Sequence, residues 1–175
     1  KYDIKNITIN FSGTGFLLYF DNSTNLVEKL PKEKLYLTLT KYDRRVPDWL
    51  EDHQINDFIK DKRGGEYDLP KGRINLKYES NYLNAALREL NEETNLDINA
   101  IKDINNLKEI NIDNRLLIFA AEFNISEMQN IKLRINKHSR KLEHSNIEFK
   151  TFSQITRNIV NNTFIIKSIL NLSRL

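Results

Sequence analysis

The sequence predicts an α/β fold in which a mixed β-sheet is sandwiched between α-helices, an α/β/α arrangement. Three observations point there. Two early segments, "TGFLLYF" (14–20) and "KLYLTLTKY" (34–42), are rich in strand formers, and the second alternates Leu35, Leu37 and Leu39 with Tyr36, Thr38 and Thr40. The stretch from about Ser80 to Asn95 carries apolar residues at helical spacing instead. Strand patterns then return at 107–123 and 146–152, ahead of an amphipathic closing segment at 153–171. A chain of 175 residues fits one domain, 1–175, that buries roughly two-thirds of its unfolded surface.

Between the first strands and the helix, Pro47 followed by Trp49, Leu50, Ile55, Phe58 and Ile59 predicts a short inserted helix over 46–62. "RGGEYDLPKG" (63–72) then reads as a loop, a short strand and a tight turn, because Gly64, Gly65 and Gly72 are three of only five glycines in the chain. In the helix that follows, Ser80 is the expected N-cap and Asn95 the left-handed stop. Its apolar arc comprises Leu83, Leu87, Leu90 and the methyl of Thr94, with Glu89, Glu92 and Glu93 centred more than about 90° away, so that one face packs and another presents acid. "LKEINI" (107–112) and "RLLIFAAEF" (115–123) form a strand pair turned by Asp113-Asn114. A basic loop (132–142), the strand "NIEFKTF" (146–152) and the closing helix complete the order.

Composition narrows the chemistry. The absence of cysteine excludes disulfides and thiolate zinc sites, and His53, His138 and His144 are scattered in sequence, so that any metal is expected to be held by oxygen. No apolar run approaches the roughly twenty residues of a membrane span, and "KYDIKNITIN" has no signal-peptide hydrophobic region. A soluble cytoplasmic protein with no membrane partner is expected. The chain starts on Lys1 rather than methionine, which leaves open whether flanking domains or targeting signals have been removed. The net charge of +3 is unevenly placed: residues from 131 onward hold nine Lys/Arg and two acids, net +7, which leaves −4 on residues 1–130. An anionic partner for the C-terminal part, nucleic acid among them, is one reading, and a solvated basic surface is the other.

The acid cluster of the helix raises a question of its own. Residues three and four apart are neighbours on a helix, so Glu89, Glu92 and Glu93 converge, at a cost of a few tenths of a kcal/mol per unneutralised pair. Either water solvates them or a positive group belongs there. The surrounding stretch "LPKGRINLKYESNYLNAALRELNEETNL" (69–96) resembles the Nudix box: Gly72, Glu79, Arg88, Glu89, Leu90, Glu92, Glu93 and Leu96 fill eight of its nine fixed positions. Both intervals flanking Glu79 are one residue longer than in that pattern, which puts Glu79 in question, and Asn95 stands where the pattern has its last glycine.

The resemblance implies a Nudix fold and a hydrolase that splits a diphosphate linked to another moiety with Mg²⁺ or Mn²⁺. It implies Glu89, Glu92 and Glu93 as metal ligands, the Gly72 carbonyl as a further donor, and Arg88 as the residue that holds a catalytic glutamate. The chemistry fits hard cations on carboxylates, which neutralise phosphate oxygens and acidify a nucleophilic water. "YDLPKGRI" (67–74), with Lys71 where other members have a second glycine, resembles the turn of messenger-RNA decapping enzymes, and "LEHSNIEFKTF" (142–152) resembles a downstream segment of theirs. That places Glu143, on a loop outside the acid triad, at the position of a general base, with His144 as the alternative base.

The length suits compact decapping enzymes of the large-DNA-virus type. Capped RNA is then the expected substrate, cleaved to 7-methylguanosine diphosphate and a 5′-monophosphate RNA. Arg44, Arg45 and Lys71 near the site, and Lys132, Arg134, Lys137, Arg140 and Lys141 in the basic loop, would meet its phosphates, each contact making binding salt-sensitive. Trp49, Tyr67 and Tyr82 are the aromatics available to stack on a purine. Two alternatives remain: a hydrolase of dinucleoside polyphosphates or diphosphoinositol polyphosphates, and a Nudix-like module that binds without catalysis. The sequence leaves open whether a protein activator takes part.

Overall fold

The computed structural model describes residues 10–22, 33–60, 65–75, 77–158 and 163–175. Gly64 and the parts of the two expected helices at 61–62 and 159–162 lie outside the described residues. The described chain is built on one seven-stranded mixed sheet. Strand β1 (Gly13–Asp21) runs antiparallel to β2 (Lys34–Arg45), and between them β1 and β2 carry all the other neighbours but one.

Helix α1 (Ile55–Phe58) and strands β3 (Tyr67–Asp68) and β4 (Lys71–Arg73) follow. β3 pairs with β2 through Leu39 and Thr40, and β4 pairs with β1 through Gly13, Thr14 and Gly15. Helix α2 (Tyr82–Thr94) leads to β5 (Lys108–Ile112) and β6 (Leu116–Glu122), whose hairpin turns on Asp113 and Asn114, both at positive φ. β6 then lies parallel to β1, from Gly13 against Leu116 to Tyr19 against Glu122. Strand β7 (Lys141–Thr151) returns antiparallel along β2, and α3 (Phe152–Thr156) and α4 (Thr163–Leu172) close the chain.

The strand period of two sends alternate residues of β1 into different cores. Phe16 and Leu18 join Leu37, Leu39 and Phe119 beneath Tyr82, Ala86 and Leu90 of α2. Leu17 faces the other side, with Ile110, Ile118, Ile155 of α3 and Ile165, Ile169 and Leu172 of α4. The predicted sandwich is therefore the observed one. Among the described residues no helix is long and apolar enough to cross a membrane.

Three expectations need correction. The expected helix over 46–62 is present only in part among the described residues: a turn at 47–50 leads into a three-residue 3-10 turn (Asp52–Gln54) and the four-residue helix α1. The apolar residues Val46, Leu50, Ile55 and Ile59 pack into a third small core with Ile135 and Leu142, and this tertiary burial, not helical periodicity, holds the segment. The N-cap of α2 is Asn81, whose side chain accepts the Asn84 N–H, rather than Ser80. Finally, β7 begins at Lys141, five residues before the expected strand, which moves Glu143 from a loop onto a strand.

Close backbone approach fixes the start of the site. A Cβ on Gly15 would stand 2.3 Å from the Pro70 carbonyl oxygen and 2.8 Å from the Lys71 Cα, so only glycine lets β4 lie against β1. Gly15→Ala is expected to destabilise the protein by about 2–3 kcal/mol, since neither backbone can withdraw without breaking the sheet. Urea unfolding measures this, and an unchanged midpoint would mean that the β4 turn moves freely.

Candidate active site

The acid cluster sits where α2 passes over β4 and the start of β7. Asn95 ends the helix at φ 69°, the left-handed conformation expected of it, and its side-chain amide donates to the Asn130 carbonyl. Within α2, Arg88 gathers the acids around itself. Its guanidinium donates to Glu79 from Nε at 2.9 Å and from Nη2 at 3.0 Å, to Glu89 at 2.8 Å, to Glu92 at 3.1 Å, and to the Arg73 carbonyl at 2.8 Å. Glu79, in question because of the lengthened spacing, thus reaches Arg88, and its Oε1 also accepts the Asn75 N–H. The extra residues are absorbed in the loop between β4 and α2.

The three helical carboxylates differ sharply in environment. Glu92 is about half exposed, Glu89 is mostly covered, and Glu93 is buried. Glu89 lies directly on Gly72: a Cβ there would fall 2.1–2.3 Å from its carboxyl atoms. The Gly72 carbonyl itself faces β1, 2.9 Å from where a Gly13 Cβ would stand. Glu93 accepts the Lys71 N–H at 3.1 Å, and among the described residues this is its one hydrogen bond. Burial, followed by the nearby charges of Glu89, Glu143 and Asp68, pushes its pKa well above the usual carboxylate value. Burial likewise raises Glu89 to about 7, against the opposing pull of Arg88.

Glu143 and His144 come to the same point from β7. Neighbouring strand residues normally face opposite sides, but here the register slips from Thr40 against Asn146 to Lys41 against His144, leaving Ser145 unmatched. This bulge brings both side chains towards α2. One donor atom from each of Glu93, Glu143 and His144 lies within 4.8 Å of the others, with His144 Nε2 3.9 Å from Glu93 Oε2. Burial and the charges of Lys71 and Lys41 lower the His144 pKa to about 4, so the ring is neutral at pH 7. A cavity of about 110 Å³ opens beside them, lined by Glu92, Glu93, Glu143, His144, Arg134 and Lys137.

The expected substrate-binding cations divide into two groups. Lys137 is exposed on the cavity rim and has no ion-pair partner among the described residues. Arg44 and Arg45 are exposed at the far end of β2, where Arg44 stacks over Tyr42. The others are tied into the fold. Arg140 donates to the carbonyls of Pro47 and Leu50, Lys141 pairs with Asp43 at 3.5 Å, and Arg134 donates to Asn91. Lys71 pairs with the buried Asp68 at 3.4 Å and covers the Phe164 ring. Of the aromatics, Tyr82 is core and its hydroxyl accepts the Phe11 N–H, Tyr67 lies under Lys150, and Trp49 is exposed.

Solved structures of similar shape exist for this arrangement. An Ap4A hydrolase from C. elegans, in a binary complex, is 14% identical with a TM-score of 0.52, over 93% of this chain and 98% of that one. The NUDIX domain of NrtR from Shewanella oneidensis, complexed with ADP-ribose, is 13% identical with a TM-score of 0.53, over 98% and 94%. The chain has the Nudix fold. RenU, a Nudix hydrolase from M. smegmatis, agrees at 12% identity and a TM-score of 0.51, over 94% of this chain and 84% of that one. No protein-family model matches the sequence, and a search of curated proteins gives no match. At these identities the likeness is one of fold. In this chain Arg88, Glu89, Glu92 and Glu93 share helix α2, with Glu89 against Gly72 of the turn.

Of the cluster's surroundings, the sequence offered His144 as the alternative base to Glu143, although a two-residue strand period would have turned it away, and missed Asp68. Asp68, buried between Lys41 and Lys71, gave no signal beyond its place before the turn.

Proposed function

We propose that this chain hydrolyses a diphosphate linkage in a nucleotide-containing substrate, using a divalent cation. The observation that carries the reading is Glu93: a buried carboxylate surrounded by Glu89, Glu143 and Asp68, with a single backbone donor, beside a cavity that admits solvent. An acid so placed is stabilised by a cation far better than by water. Mg²⁺ or Mn²⁺ held by Glu89, Glu92 and Glu93 would supply positive charge to the phosphate oxygens and acidify the attacking water, whereas the Gly72 carbonyl, turned towards β1, would have to reorient to join them. Glu143 takes the proton of that water as general base, from a position across the cavity from α2. Arg88 holds Glu79, Glu89 and Glu92 in place, and Lys137 meets the incoming phosphates.

Within this class we assign capped RNA as the substrate, on the turn around Lys71 and the segment around Glu143. One observation favours a compact substrate instead, a dinucleoside polyphosphate or a diphosphoinositol polyphosphate. The basic loop turns Arg134 and Arg140 inward and pairs Lys141, which leaves fewer free cations to follow an RNA strand.

A Mg²⁺/Mn²⁺ assay with cap-labelled RNA and unlabelled Ap4A in competition separates these readings. Release of labelled 7-methylguanosine diphosphate, suppressed by long uncapped RNA but not by Ap4A, supports decapping. Consumption of Ap4A with capped RNA intact supports the compact substrate, and turnover of neither, nor of a diphosphoinositol polyphosphate, leaves a binding module. Glu143→Gln is expected to lower turnover about 10²-fold or more while metal binding persists. Unchanged turnover across neutral pH would remove Glu143 as the base.

A further inference from the structure

We infer that His144 is a ligand of the bound cation, giving the site a nitrogen donor and with it a preference for Mn²⁺ or Co²⁺ over Mg²⁺. The inference rests on the proposed reading that a divalent cation occupies the cluster. It departs from the oxygen-only ligand set that the sequence suggests.

Three features of the structure carry it. The imidazole is nine-tenths buried, yet among the described residues it has no hydrogen-bond partner. Neither ring nitrogen is among the fully buried polar atoms left unsatisfied, so the polar edge of the ring opens to the cavity rather than serving the core. Its Nε2 approaches the Glu93 carboxylate at 3.9 Å, and one donor atom from each of Glu93, Glu143 and His144 lies within 4.8 Å of the others. Ligands about 2.0–2.2 Å from one ion stand roughly 3–4.3 Å apart, so the spacing needs only small side-chain adjustments. The third feature is the bulge at Ser145, which turns a residue that regular pairing would point away into the cavity shared with Glu92 and Glu93.

The groups facing His144 agree with this role. Lys41 and Lys71, each paired with Asp68, lie near enough to disfavour the imidazolium. Neutral imidazole is the form that ligates a metal. Nitrogen donors bind transition ions well and Mg²⁺ poorly, whereas carboxylates accept all three. A nitrogen donor from His144 beside Glu93 therefore discriminates among cations that the all-carboxylate set of Glu89, Glu92 and Glu93 would treat more evenly.

The test is direct binding of Mn²⁺, Co²⁺ and Mg²⁺ by calorimetry to the full chain and to His144→Gln and His144→Asn. Pulsed electron paramagnetic resonance of the Mn²⁺-loaded protein adds a readout of ¹⁴N coupling. Thermal unfolding without metal confirms that each variant folds, and two variants of different length guard against a failure of one. The expected result is ¹⁴N coupling in the parent, its loss in both variants, and a fall of about tenfold or more in Mn²⁺ and Co²⁺ affinity with little change for Mg²⁺. Mn²⁺ bound without ¹⁴N coupling, or affinities that do not change on substitution, would overturn the role of His144 and leave the hydrolase reading intact. A parent chain that binds none of the three cations would overturn both.

Discussion

Glu93→Gln is expected to abolish most of the proposed metal-dependent hydrolysis, lowering kcat by about 10²–10³-fold, and at the same time to make the metal-free protein more stable at pH 8. The first effect follows from its place: Glu93 is the buried carboxylate on the wall of the cavity, against Glu143 and His144, and Gln there removes one of the proposed cation ligands. The second follows from its burial among other acids. Its folded pKa lies well above the ordinary value of 4.5, so between the two the folded protein binds more protons than the unfolded chain does. Stability is therefore fully present below about pH 4.5 and falls as the pH rises towards the folded value.

Gln keeps the acceptor for the Lys71 N–H and removes the titration. Parent and variant should unfold at similar temperatures at pH 4.5 and separate progressively above it, the variant being the more stable. Glu89, raised to about 7, contributes a slope of the same sign that both proteins retain. Adding Mn²⁺ at pH 8 reverses the order, because ligand binding stabilises only the chain that holds the ion tightly. Differential scanning calorimetry with and without Mn²⁺ at both pH values checks all of these statements. A variant that unfolds at a lower temperature than the parent in metal-free buffer at pH 8 would show that Glu93 is ionised and satisfied by the protein alone.

How much of this could be read from the sequence depends on whether the signal was local. The strands were legible because Leu35, Leu37 and Leu39 alternate with smaller or polar residues, and each set has a core to enter. The box was legible because Arg88, Glu89, Glu92 and Glu93 lie within six positions of one helix, and the helix period fixes their mutual placement. Burial along α2 was less legible. The arc through Leu83 and Leu87 is only partly covered, while Tyr82, Ala85, Ala86 and Leu90 face the sheet, so Glu93, three residues after Leu90, turns inward. The 46–62 segment misled because apolar residues at loose helical spacing can equally be drawn to a core by tertiary contacts. Lys141 and Leu142 read as the end of the basic loop (132–142), and Glu143 as a loop residue, because strand pairing with β2 and the bulge at Ser145 are long-range facts. The same holds for Arg134 and Arg140, whose charges looked available to RNA until backbone and Asn91 partners were seen to hold them.

Arg88→Met should cost stability and activity together, and Arg88→Lys should restore little of either. The guanidinium makes four hydrogen bonds to three carboxylates and a fifth to the Arg73 carbonyl, a fan that a planar, five-donor group can fill and an ammonium cannot. Removing it strands Glu79 and Glu89, both mostly buried, without a counter-charge. Breaking a buried pair in this way typically costs 3–5 kcal/mol, and since a third of the Arg88 side chain reaches water the expectation is about 3 kcal/mol, or roughly 6–12 °C in Tm for a chain of this size. Glu79→Gln should recover part of the stability lost in Arg88→Met, because the double variant no longer buries that unpaired charge, but it should not recover turnover, since Glu89 and Glu92 stay unanchored. Urea unfolding of the two single variants and the double variant, set beside their kcat values, separates the two roles. Additive stability losses would mean that Arg88 and Glu79 act independently, and turnover that survives Arg88→Met would mean that the acids hold their positions without it.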